Sequence, residues 1–142
     1  DYAKNIAKRV PVLAQGKKLG PVSLLPSMSQ VASELVHDSL EAFARRDATL
    51  AEDVSERDQV VDDFYTSIFR ATITHMIENP KDIGQAAHVL FIAKNLERIG
   101  DHATNVAEMV YFAAKGEQMP ERDRGENPAD FLNDPNIDNE DA

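Results

Sequence analysis

Two pairs of carboxylates stand out in this chain, Glu97 with Asp101 and Asp58 with Asp62, the members of each pair four residues apart. On an α-helix that spacing puts both side chains on one face, one turn above the other. Asn105 extends the first pair into an acid, acid, amide column. Like charges so placed cost a helix a few tenths of a kcal/mol, and gathering all four costs more unless a cation neutralises them. Such oxygen donors suit hard ions such as Mg²⁺, Mn²⁺ or Fe³⁺. The competing reading is a solvated acidic face, which exposed helices commonly carry. The column also recurs: sliding the sequence by 100 residues superposes Asp1, Ala3, Asn5, Ala7 and Val10 on Asp101, Ala103, Asn105, Ala107 and Val110.

These residues need elements to hold them. Over residues 1–14, Ala3, Ile6, Ala7 and Val10 mark a helical stripe that Pro11 is placed to kink. Residues 15–26 contain Gly16, Gly20, Pro21 and Pro26 and read as a linker without regular structure. A second helix is expected over 27–46 through Met28, Val31, Leu35, Leu40 and Phe43. Asp47 or Thr49 would cap a third, which continues to Glu78 through Leu50, Val54, Val61, Phe64, Ile68 and Met76. Asn79-Pro80 ends it, because proline disfavours helical geometry at the residue before. The fourth runs from Pro80 or Lys81 to Lys115, where Gly116 supplies the stop.

In the fourth helix Val89, Ile92, Leu96, Ile99, Ala103, Val106, Val110 and Ala113 follow an unbroken 3-4 spacing, the mark of a bundle seam. Taking Val89 as the first heptad position puts Glu97, Asp101, Asn105 and Glu108 away from that seam, on an outward face. If the third and fourth helices are antiparallel neighbours, Asp58 lies 21 residues before the turn and Asp101 21 residues after it. Both then stand about 32 Å along their helices, so the two pairs meet at one height. No period-two alternation is present, and the expected fold is all-α.

Composition bounds the function. With 42% hydrophobic and 28% charged residues over 142 positions, the chain has the profile of one globular domain. No cysteine is present, which excludes disulfides and thiolate metal sites. The longest apolar run, residues 109–114, is far too short to span a bilayer. A net charge of −10 argues against nucleic-acid partners. Most of that charge lies in residues 117–142, with nine acids and two arginines, a segment expected to be a largely disordered acidic tail.

The stretch NLERIGDHATNVAEM, together with DYAKNIAKRV at the start, resembles the repeated motif of the PhoU family of bacterial phosphate-signalling regulators. The resemblance covers residues 1–116. It implies a fold of two similar three-helix bundles in tandem, with this chain a fragment. Residues 27–116 would be the second antiparallel three-helix bundle, and residues 1–14 the last-helix remnant of the first repeat. It further implies a metal ion or multinuclear cluster, of iron, manganese, magnesium or zinc, on Asp58, Asp62, Glu97 and Asp101. Asp1 would belong to the first cluster, which is incomplete because the glutamate expected four residues before it is absent. The implied role is non-enzymatic: an adaptor in the cytoplasm, peripheral to the inner membrane, that links PstB, the ATPase of the phosphate transporter, to the histidine kinase PhoR and restrains the phosphate-starvation response. A homodimer is expected, and residues 1–14 are expected to pack on the second bundle of their own chain or of a neighbour.

Two other readings compete with this one. A ferritin-like di-iron protein needs two ExxH motifs facing inward, and only Glu34-Leu35-Val36-His37 is present. A helical spacer without ligand needs no motif at all. His75 reads as a hydrogen-bonded boundary residue, His102 as a surface residue beside the column, Arg98 as an ion-pair partner for Asp101, and Asn105 as an orienting neighbour. Gly100 costs a helix about 1 kcal/mol against alanine, so close approach of another helix is its expected reason.

Overall fold

The computed structural model of the chain describes residues 1–122. Three long helices form the body: α3 (Leu25–Arg45), α4 (Ala48–Glu78) and α5 (Ile83–Lys115). Each packs on both others. Their two connections are so short that successive helices must run antiparallel. Arg46 turns the chain out of α3 with φ 53°, and the Asp47 side chain caps α4 by accepting from Leu50 N–H at 3.0 Å. Asn79, at φ −132° and ψ 74°, ends α4 as its neighbouring proline requires. A 3-10 turn over Pro80–Asp82 then feeds α5, and Gly116 closes it in the left-handed region at φ 75°.

The core is the expected stripe. Met28, Leu35, Val54, Val61, Ile68, Val89, Ile92, Leu96, Ala103 and Val110 are buried together, each larger side chain stabilising the fold by about 1.5–3 kcal/mol. Leu40 and Phe43, expected on the same face of α3, are instead exposed at 56% and 68%. They lie near the end of α3, where Ser39 and Ala42 take the buried positions.

The segment before the bundle differs from expectation in two ways. Residues 1–14 form not one kinked helix but two, α1 (Tyr2–Ala7) and α2 (Val10–Gln15), divided at Lys8 and Arg9. Pro11 explains the break: it cannot donate to the Ala7 carbonyl, but it is tolerated in the first turn of a new helix. The expected linker 15–26 also carries regular structure, a 3-10 turn over Gly20–Leu24 with Leu19 and Pro21 buried. Proline again sits at a helix start, where no N–H is needed.

Residues 1–14 do pack on the bundle of their own chain, chiefly on α5. Arg9 holds them there, its Nη1 donating to His88 Nδ1 at 3.0 Å and its guanidinium lying 4.3 Å from the Phe91 ring centre. Tyr2 stacks on His102 with ring centres 5.3 Å apart, and their polar atoms meet at 3.1 Å. Between α1, α2, α3 and α5 an apolar groove of about 700 Å³ remains.

The expected acidic tail falls mostly outside the described residues. Of the six that are described, Met119 packs against the core and Arg122 is pinned to α4.

Candidate functional site

The α4–α5 seam brings the two carboxylate pairs together. Asp62 carries the clearest sign: its pKa is pushed up from the ordinary 3.8 to about 6. Burial is the main cause, followed by the negative charge of Asp58; Arg122 opposes the shift, and Glu97 and Asp101 add to it. One carboxyl therefore senses the other three, two of them on the neighbouring helix. The equal spacing from the Asn79-Pro80 turn is what places them at one level.

The expectation that these acids face outward is corrected. Asp58 is 1% exposed and Glu97 6%, while Asp62 and Asp101 are half-buried and Asn105 and Glu108 exposed. A helix in a three-helix bundle packs on two partners, so its buried arc is wider than a single heptad seam. On α5 that arc takes in Asn95, Glu97, Gly100, Thr104 and Tyr111 beside the aliphatic stripe. The column thus runs from interior to solvent, Glu97 at its buried end.

Gly100 provides the close approach. A Cβ at this position would stand 2.7 Å from Asp58 Oδ1 and 3.4 Å from Val61 Cγ1. The absent side chain leaves the space that the Asp58 carboxylate fills against α5.

Two cations belong to the site. Arg122 Nη2 donates to Asp62 Oδ2 at 2.9 Å and to Asp58 Oδ2 at 3.2 Å, while its Nη1 donates to the Ser55 carbonyl at 2.8 Å. Lys94 pairs with Glu97 one turn away and lies 5.1 Å from the centre of the Tyr65 ring. Lys94 was not among the expected site residues, although its i, i+3 spacing to Glu97 is a signal that could have found it. Arg122 had no such signal, because it lies beyond the last periodic helix.

The donor set fits a hard cation, since it consists of carboxylate oxygens at a site already organised around positive charge. Among the described residues, no three His, Cys, Asp or Glu side chains stand gathered to hold a metal ion as they are. With Arg122 between Asp58 and Asp62, ion binding by this set requires the guanidinium to move. Zinc is the poorer match, because it favours nitrogen and sulfur donors.

The other candidates are placed as follows. Asp1 is exposed ahead of α1 and is not among the charges that perturb Asp62. His102 turns to Tyr2, and Arg98 is exposed. His75 is the boundary residue expected, with Nε2 2.8 Å from Asp82 Oδ2. Glu34 and His37 are exposed on α3, so the inward-facing ExxH of a di-iron bundle is not formed there. Asp38, beside them, is held below its ordinary carboxylate range first by a hydrogen bond from Arg57, which ties α3 to α4.

The PhoU domain matches residues 25–110. A phosphate-specific transport system accessory protein PhoU homolog from Zymomonas mobilis is 56% identical over 125 residues, covering 88% of this chain and 53% of that protein. The homolog of the same name from Xylella fastidiosa is 43% identical over 128 residues, covering 89% of this chain and 53% of its own length. The crystal structure of PhoU from Pseudomonas aeruginosa superposes with a TM-score of 0.78 at 34% identity, over 82% of this chain and 56% of that one. The chain spans about half the length of the curated relatives it matches. Among the described residues, no helix is long and apolar enough to cross a membrane.

Proposed function

We propose, for a chain that belongs to the PhoU family, the role of a regulator accessory to phosphate transport. It acts by binding rather than by catalysis, as an adaptor between PstB, the ATPase of the phosphate transporter, and the histidine kinase PhoR. It works as a homodimer on the cytoplasmic side of the inner membrane, recruited there through its partners. The names of the relatives from Zymomonas mobilis and Xylella fastidiosa support the link to phosphate transport.

The observation that carries the site's part in this role is the raised pKa of Asp62, caused first by burial and then by Asp58, with Glu97 and Asp101 across the α4–α5 seam adding to it. Asp58, Asp62, Glu97 and Asp101 would hold a hard ion, with iron, manganese or magnesium as the candidates. A bound ion supplies positive charge that lets four acids share one site and stiffens the seam between the two longest helices. Lys94 and Arg122 offset part of the same charge when no ion is present.

One measurement on the full-length protein tests the reading. Pull-down of the transporter ATPase and the kinase is repeated with Asp58→Asn, Asp62→Asn, Glu97→Gln and Asp101→Asn combined, which keeps side-chain volume while removing charge. Loss of both partners in a variant with unchanged circular dichroism supports a regulatory acidic face. Capture of both partners at wild-type levels would refute it.

A further inference from the structure

Resting on the metal reading just given, we infer that Arg122 is a built-in counter-ion for the carboxylate site, so that docking of residues 117–122 and loading of a hard cation exclude one another. Arg122 is deeply set for an arginine, its side chain 16% exposed. Its guanidinium reaches the pair from which the ion site would be built, touching Asp58 at 3.2 Å and Asp62 at 2.9 Å. The Ser55 carbonyl, 2.8 Å from Nη1, orients it. An ion ligated by both Oδ2 atoms would have to take the position Nη2 now holds.

The rest of the segment is arranged to release. Residues 117–122 follow the Gly116 stop without regular secondary structure, and Met119 is the apolar anchor that packs on the core. A segment without regular secondary structure, anchored among the described residues through Met119 and Arg122, belongs to the low-stability end of a fold, where opening costs least. A divalent ion brings twice the charge of the guanidinium to the same oxygens. Binding energies are reciprocal: if the arginine weakens ion binding by some factor, the ion weakens tail docking by the same factor.

The test titrates the full chain with Mn²⁺, followed by the electron paramagnetic resonance signal of the free ion, in wild type, Arg122→Ala and Asp62→Asn. Amide exchange of residues 117–122 is measured in wild type with and without Mn²⁺. The expected result is binding about tenfold tighter in Arg122→Ala, weaker binding in Asp62→Asn, and faster exchange of 117–122 when Mn²⁺ is present. Binding that depends on Asp62 but is unchanged or weaker in Arg122→Ala, with unaltered exchange, would overturn the competition and leave the metal reading standing. Absence of Asp62-dependent binding in any variant would overturn both. The exchange measurement needs no variant, so the outcome stands even if Arg122→Ala folds poorly.

Discussion

Replacing Gly100 with alanine sets two effects of opposite sign against each other. On helix propensity alone the change should stabilise α5 by about 1 kcal/mol. The structure puts the new methyl 2.7 Å from Asp58 Oδ1 and 3.4 Å from Val61 Cγ1. The first distance is several tenths of an ångström inside ordinary carbon–oxygen contact. The carboxylate cannot swing out to relieve it, being 1% exposed and bonded to Arg122 through its other oxygen. Overpacking of this kind costs about 1–3 kcal/mol, so the expected net effect is destabilisation by about 1 kcal/mol, read as a lower urea midpoint at unchanged slope. In an Asp58→Ala background the main clash is gone and the same substitution should become neutral or stabilising. That gives a coupling of about 1–2 kcal/mol in a double-mutant cycle. A Gly100→Ala protein more stable than wild type, or a cycle with no coupling, would refute the claim that Gly100 exists to admit the Asp58 carboxylate.

Other consequences follow from the same contacts. Because the Asp62 pKa is raised from 3.8 to about 6, its contribution to stability is fully present below its unfolded value and lost as pH rises through about 6. The full shift corresponds to about 3 kcal/mol, which solvent access to a partly exposed carboxylate reduces to about 1–2 kcal/mol. Urea unfolding should therefore show Asp62→Asn gaining that much on wild type between about pH 4 and pH 7; a pH-independent difference would contradict the shift. Arg9→Ala should raise amide exchange over residues 2–15 by removing the His88 bond and the Phe91 contact, while the bundle's unfolding midpoint stays nearly fixed. Unchanged protection of residues 2–15 would show that other contacts hold α1 and α2.

The bundle was legible because its signals are local or periodic. The 3-4 run from Val89 to Val110 needs one packed face, Asp47 needs a helix start to cap, and Asn79-Pro80 and Gly116 leave a helix few ways to continue. The level match of Asp58 and Asp101 was legible too, since an antiparallel pair with a short turn converts residue counts into height. What escaped depends on a second neighbour. A single heptad seam on α5 placed Glu97 outside, but α5 faces two helices, and the wider arc buries it, as Asp58 is buried on α4. The charge that accompanies them comes from Arg122, set in a segment whose composition reads as tail and whose role arises only from where the chain folds back. The division of residues 1–14 at Lys8 and Arg9 follows from Pro11, but a proline in a helical stripe allows either a kink or a restart.

The central claim is that Asp58, Asp62, Glu97 and Asp101 act as one cation site across the α4–α5 seam. Crystals of the full chain soaked in MnCl₂ and measured at the manganese edge test it most directly. The account predicts an anomalous peak at the seam, ligated by Asp62 together with Asp58, Glu97 or Asp101, with the Arg122 guanidinium moved away. Peaks confined to other surface carboxylates, with Arg122 still bonded to Asp58 and Asp62, would contradict it.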